Sequence, residues 1–386
     1  MDFDFKRRRL LAMLAVSAWF GSCKGKSLAS PAIADKKETG LAPPAKILAI
    51  LEQSKQEYDL SALLCGIWQG EKTIASTAIG DSQTNVPATT AMHLRAGGVT
   101  ITCICLVLLR LVDQGLVNLD DSVARWWPEL PRAETVTLQQ LANSTSGYPD
   151  FEQDQTFIDA NNYNPFRQWQ TQELLDIAFA TPLLYEPGTS WNYSHTNFVV
   201  LGELLQRITG QPMDKLLEQE IFSPLGLGHS SYPHSSEIPP PVLHAFSQDR
   251  DIFEDSTYWN PSWTSFSGMM ISTLGDLGML ALAIAQGSLL SPQAIQAQIA
   301  PTTVGLGRNR ADLYYGLGIV YANGWLVQNP RFGGYNLFFA ALPSQSLAMV
   351  VATTIGLNSS NEAHSTLIAR KLVQSLTPNQ PIPSFG

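Results

Sequence analysis

Tyr193 and His195 place a phenol and an imidazole two residues apart at the head of the stretch 196–209. The apolar spacing of that stretch and its closing Gly210 predict a helix. An imidazole there can hold a ligand by hydrogen bond or accept a proton, and it can equally bond nearby backbone at the helix start. Thr100 and Thr102 offer hydroxyls, but they sit in the run 98–114, which is almost continuously apolar and interrupted by Arg110. A helix apolar on nearly every side is buried, so both read as core threonines. No lysine occurs between Lys72 and Lys215, so this helix and its neighbouring loops carry no amine that could act as a base. His229, His234 and His244 are irregularly spaced and read as surface histidines, not metal ligands. Asp249, Arg250 and Asp251 with Glu254 and Asp255 fit no calcium loop and read as a solvated turn. Cys65, Cys103 and Cys105 read as buried thiols, with a Cys65 bridge to one of the others as the lesser alternative. Trp126 and Trp127 read as packing residues. No metal and no cofactor are expected.

The elements that must position these groups fall into three blocks. Ser61–Gln69 and Thr73–Ile79 flank Gly70-Glu71 as a hairpin. From the buried helix at 98 to about residue 300, helical segments such as Thr171–Ala180 and Thr273–Gln286 alternate with long loops. The last quarter returns to strands at Tyr315–Tyr321, Gly324–Gln328, Tyr335–Ala341 and Ser346–Thr354, before a helix over Asn361–Leu376. First and last blocks together predict one antiparallel sheet with a mostly helical region inserted between them, an α+β fold.

With 386 residues and 45% apolar content the chain can bury a large core. Residues 1–34 carry a balance of +4, so the overall −9 leaves −13 on the remainder. A surface of that sign repels nucleic acid and anionic lipid. Lys6 to Arg9, then the apolar run Leu10–Phe20, then small residues, form an export signal over 1–34. Cleavage before Cys23 would leave a lipidated mature N-terminus, and cleavage after Ala34 a free one. The protein is therefore expected outside the cytoplasmic membrane, periplasmic or anchored as a lipoprotein, and membrane contact is expected only through the signal or the lipid. Residues 35–45 read as a linker, 46–376 as the folded domain and 377–386 as a tail.

Several stretches, in order, resemble the class C β-lactamase and D-Ala-D-Ala carboxypeptidase group of serine hydrolases. They are Leu94-Arg95-Ala96-Gly97-Gly98-Val99-Thr100-Ile101, Leu119-Asp120-Asp121-Ser122-Val123, Leu141-Ala142-Asn143-Ser144-Thr145-Ser146-Gly147-Tyr148-Pro149, Glu186-Pro187-Gly188-Thr189, Tyr193-Ser194-His195-Thr196-Asn197, Ile221-Phe222-Ser223-Pro224-Leu225-Gly226-Leu227 and Tyr315-Gly316-Leu317-Gly318. The resemblance implies the β-lactamase/transpeptidase fold. It also implies a serine nucleophile at the start of a buried helix, a lysine base one turn later, a tyrosine relay and a strand motif on the opposite wall. In this chain Gly98 and Ile101 occupy the nucleophile and base positions. Tyr193 is kept, and His195 stands where asparagine is usual. Gln328, Asn329 and Pro330, followed by Gly334 and Tyr335, replace the strand motif.

The expectation is therefore a pseudoenzyme on this scaffold, with Tyr193, His195, Gln328, Asn329, Gly334 and Tyr335 as binding candidates. Its ligand would be a peptidoglycan stem peptide or a β-lactam-like molecule. Two alternatives stand beside it: a weak esterase, amidase or carboxypeptidase using Tyr193 and His195, and a structural protein whose cleft has collapsed around Ile101 and Pro330.

Overall fold

The computed structural model describes residues 44–385. The expected export signal, Cys23 and most of the expected linker lie outside the described residues. Helix α1 (Pro44–Glu57) starts inside the expected linker. A proline with no N–H to lose suits the first helical position, so Pro44 opens the domain instead of ending a tether.

The sheet is antiparallel throughout and contains nine strands: β1 (Leu60–Gln69), β2 (Lys72–Gln83), β3 (Val86–Pro87), β4 (Leu313–Tyr315), β5 (Val320–Ala322), β6 (Trp325–Gln328), β7 (Arg331–Phe332), β8 (Tyr335–Leu342) and β9 (Leu347–Ile355). Their spatial order is β3-β2-β1-β9-β8-β6-β5-β4, with β7 paired to β8. The two ends of the chain meet where β1 pairs with β9, Leu64 opposite Ala352. Strands β8 and β9 are buried almost end to end, which explains their continuous apolar sequence: both faces of the sheet are covered.

Alternate residues of β1 divide between two cores. Leu63, Cys65 and Ile67 join Ile47 and Leu51 of α1 and Ile368 and Leu372 of the last helix. Ala62 and Leu64 face the larger core around the inserted helices. That core is centred on α2 (Val99–Asp113), buried without a break from Val99 to Leu109. Helix α3 (His195–Thr209) and helix α4 (Leu274–Gln286) pack around it. Two glycines set close approaches here. A Cβ on Gly202 of α3 would fall 2.0 Å from the Phe266 ring, and one on Gly278 of α4 would fall 2.5 Å from the Trp68 ring. Among the described residues no helix is long and apolar enough to cross a membrane.

Three sequence expectations are corrected. Tyr315–Tyr321 is not one strand: Gly316 donates its N–H to Ile319 O and Gly318 has φ +65°, so the chain folds back between β4 and β5. The last helix, α5, begins at His364, not Asn361. The tail 377–386 is not a loose end over its described part. Trp325 Nε1 donates to Gln380 O at 2.9 Å, Asn323 Nδ2 donates to Pro381 O at 2.9 Å, and Ile382 is buried.

Candidate functional site

A cleft of about 330 Å³ opens between the N-terminus of α2, the N-terminus of α3 and the outer strands β5 to β7. Gly97 and Gly98 form its floor. Gly97 has φ +51°, and a Cβ on it would come within 2.8 Å of Pro330 Cβ, so glycine is required there. Gly98 has φ −61° and ψ −4°, which any residue adopts, and it caps α2 without a side-chain hydrogen bond. Ile101 lies one turn on, completely buried, its Cδ1 3.9 Å from where a Gly98 Cβ would stand. The two threonines are structural. Thr100 Oγ1 accepts from Met270 N at 3.1 Å, and Thr102 Oγ1 donates to Gly318 O at 2.7 Å.

Across the floor, Gln328 at the end of β6 donates its Nε2 to Gly318 O at 2.8 Å. Its Oε1 lies 3.5 Å from the same hypothetical Gly98 Cβ, and Pro330 Cβ is equally near. Asn329 also lines the cleft. Gly334 and Tyr335, expected beside them, do not. β7 turns the chain away before they are reached, so Gly334 packs on the Phe246 backbone and the buried Tyr335 donates its hydroxyl to Leu243 O at 2.5 Å.

Tyr193 and His195 meet at the third wall. Tyr193 Oη is 3.4 Å from His195 Nε2, and His195 Nδ1 is 3.2 Å from Asp150 Oδ2. Asp150 also accepts the His195 backbone N–H at 3.1 Å, so one carboxylate holds both the helix start and the ring. Glu152 Oε1 lies 3.0 Å from Nδ1 outside hydrogen-bond alignment. Burial works against a charged imidazole here, yet Glu152 and Asp150 outweigh it and raise His195 to about 9. Burial likewise pushes the Glu152 carboxyl above its ordinary range. Burial, with the two carboxylates, pushes the Tyr193 phenol up as well. Near neutrality the wall therefore presents a neutral phenol and a proton-rich imidazole and carboxyl cluster. It donates hydrogen bonds and is poorly placed to abstract protons.

The remaining wall was not singled out from the sequence, except for Tyr315 within a resembling block. Trp191 and Tyr315 line the cleft, and among the described residues their buried Nε1 and Oη have no hydrogen-bond partner; the nearby Gln328 amide N–H is committed to Gly318. Arg308, over the Trp191 ring at 5.4 Å, and Arg331 bring positive charge into an otherwise acidic protein. Thr264 and Ser267 are further hydroxyls, but each donates to a backbone carbonyl, Pro261 O and Thr264 O, and no lysine lines the cleft among the described residues. Phe385, from the tail, completes the rim. The space is open, which corrects the expectation of a cleft collapsed around Ile101 and Pro330.

Other candidates fall outside the cleft. Cys65, Cys103 and Cys105 are buried free thiols, each raised by burial. His234 is exposed. His244 is not a surface histidine: it is largely buried and bonded to Asp255 Oδ2 at 2.9 Å, within reach of Gln83. Among the described residues no group of side chains could hold a metal.

The family model described as Beta-lactamase matches residues 47–372. Penicillin-binding protein 4* of Bacillus subtilis is 24% identical over 261 residues, 64% of this chain and 54% of that protein. A putative D-alanyl-D-alanine carboxypeptidase of Escherichia coli is 29% identical over 133 residues, 32% of this chain and 30% of that one. The chain thus spans about half or less of these two relatives. A D-stereospecific amidohydrolase from Streptomyces superposes with a TM-score of 0.75 at 25% identity, covering 88% of this chain and 99% of that one.

Proposed function

Because the chain belongs to the β-lactamase family, we propose that it is a member that binds a ligand in the family's cleft without being acylated by it. The carrying observation is the pairing of Gly98 with the buried Ile101 beneath an open cleft. A nucleophile acting as a unit with its base is worth on the order of 10⁶ in turnover, about 8 kcal/mol of barrier. An apolar side chain in the lysine's place also removes the charge that would stabilise an oxyanion's formation.

The ligand we propose is a peptidoglycan stem peptide or a molecule of similar shape. Three features support this: unpartnered donors on Trp191 and Tyr315, donor groups at Tyr193 and His195, and positive charge on Arg308 and Arg331 that suits a carboxylate. Such a ligand lies outside the cytoplasm, in keeping with the export signal and the lipidation at Cys23 that the sequence proposes. The decisive test is incubation of purified protein with a fluorescent penicillin, followed by denaturing electrophoresis. No covalent band is expected, while a D-alanyl-D-alanine peptide raises the melting temperature. A covalent adduct at any residue sinks the reading.

One observation favours a second reading, a slow hydrolase: the chain of contacts from Tyr193 through His195 to Asp150 could orient water. The raised pKa values of the phenol and the imidazole argue against it. Hydrolysis of p-nitrophenyl acetate that vanishes with His195→Ala and Tyr193→Phe would promote it over the first.

A further inference from the structure

The segment after α5 is held unevenly along its length. Its first part is fixed: Gln380 O accepts from Trp325, Pro381 O accepts from Asn323, and Ile382 is buried. Beyond Ile382 the hold is slighter. Among the described residues, 383–385 make one hydrogen bond, in which Arg310 Nη2 donates to Ser384 O at 3.3 Å on the exposed surface. Arg310 directly follows Arg308 and Asn309, which both line the cleft. Phe385 is partly buried against the core around α1 and α5, and it lines the cleft together with Leu313, Tyr314 and Val320. A bulky ring thus stands at the cleft's mouth on a stretch of chain tied by a single solvent-exposed bond. Such a bond is worth little net free energy, and segments held this way open locally at low cost.

We propose that Phe385 is a gate that sets the size of molecule the cleft admits. With Ser384 tied to Arg310, the ring narrows the opening to a slender ligand such as a linear peptide. A branched or cross-linked peptide enters only when the tie breaks and the ring swings out. This inference rests on the reading of the cleft as a binding site, and adds which members of the ligand class reach it.

The test needs no ligand. Gly98→Cys, in the full chain, places a thiol on the cleft floor at a position whose backbone and surroundings accept a side chain. Cys65, Cys103 and Cys105 are buried and raised by burial, so they stay unreactive in the folded protein. Labelling rates with N-methylmaleimide and N-(1-pyrenyl)maleimide, which share a reactive group and differ in bulk, are read by mass spectrometry on the peptide carrying position 98. Adding Phe385→Ala is expected to raise the pyrenyl-to-methyl rate ratio about fivefold, the factor one net hydrogen bond carries. Arg310→Ala, which cuts the tie and keeps the ring, should raise it as well. Phe385→Tyr, which keeps both, should leave it unchanged. A ratio that moves in neither Phe385→Ala nor Arg310→Ala overturns the gate and leaves the cleft reading standing. Failure of N-methylmaleimide itself to reach position 98 overturns both, because the floor would then be closed to any solute.

Discussion

Gly98 holds φ −61° and ψ −4°, and a Cβ on it would meet Gln328, Pro330 and Ile101 only at 3.5 to 3.9 Å, ordinary contact distances. Neither backbone nor packing demands glycine here, in contrast to Gly97 beside it. Gly98→Ser is therefore expected to fold with a stability within ~1 kcal/mol of wild type, measured by urea unfolding, and to remain unlabelled by fluorescent penicillin. Adding Ile101→Lys buries an amine at a site with no exposure and should cost about 2–4 kcal/mol, while giving slow labelling at position 98. A folded but unlabelled double variant would place the remaining block at Gln328 and Pro330.

The wall at His195 makes a prediction of the opposite kind. The ring is raised to about 9 by its two carboxylates, against an ordinary value near 6.5, and Glu152 is raised too. The folded state therefore binds more protons than the unfolded chain: the Glu152 contribution is complete below about pH 4.5 and the imidazole's below about 6.5, and both are lost as pH rises toward 9. The melting temperature should fall across that window by about 2 °C, the scale of ~1 kcal/mol in a large domain. Glu152→Gln should flatten the decline. An unchanged slope in that variant would show that Glu152 does not hold the imidazole's proton.

At the level of elements, the cleft's walls are set by close backbone approaches that carry no obvious sequence mark. Gly202 lets the Phe266 ring rest on α3, which fixes the segment 261–268 that supplies Trp263, Thr264 and Ser267 to the cleft. Gly202→Ala puts a carbon 2.0 Å from that ring and should cost about 2–3 kcal/mol, read by thermal unfolding, and should weaken ligand binding. Wild-type stability in this variant would mean the segment yields freely. The helices α2 and α3 were legible because their apolar periods and the closing Gly210 are strong local signals. The β4–β5 hairpin was not: apolar and β-branched residues run through 313–322 without a polar break. Only the positive φ of Gly318, pressed against Cys105, turns the chain.

For the whole molecule, the joining of N- and C-terminal strands into one sheet was legible, since hairpin signals at one end and strands at the other leave few unknotted arrangements. Which residues face the cleft was less so. Gly98, Tyr193, His195, Gln328 and Asn329 line it, Ile101 lies buried beneath, and Gly334 and Tyr335 turn away because β7 ends the approach. Glu152 reaches the cleft from the 3₁₀ turn Phe151–Gln153, and Trp191 and Arg308 from loops, all of whose course depends on tertiary packing. The packing of the segment after residue 376 was not legible, since its hold depends on tertiary contacts: Ile382 is buried and Trp325 donates to Gln380 O. Deleting residues 378–386 should cost about 3 kcal/mol, from one lost apolar side chain and one stranded indole N–H. Unfolding curves that superimpose with wild type would show the tail to be dispensable.

Phe385 on the cleft's rim bears on how the protein is handled at the bench. An affinity tag or fluorescent fusion joined after Gly386 would start one residue from the opening through which a ligand must pass. Weak binding by such a fusion could then report the appended peptide and not the cleft. Purification handles belong ahead of Pro44, and any screen already run with a C-terminal tag should be repeated after its removal.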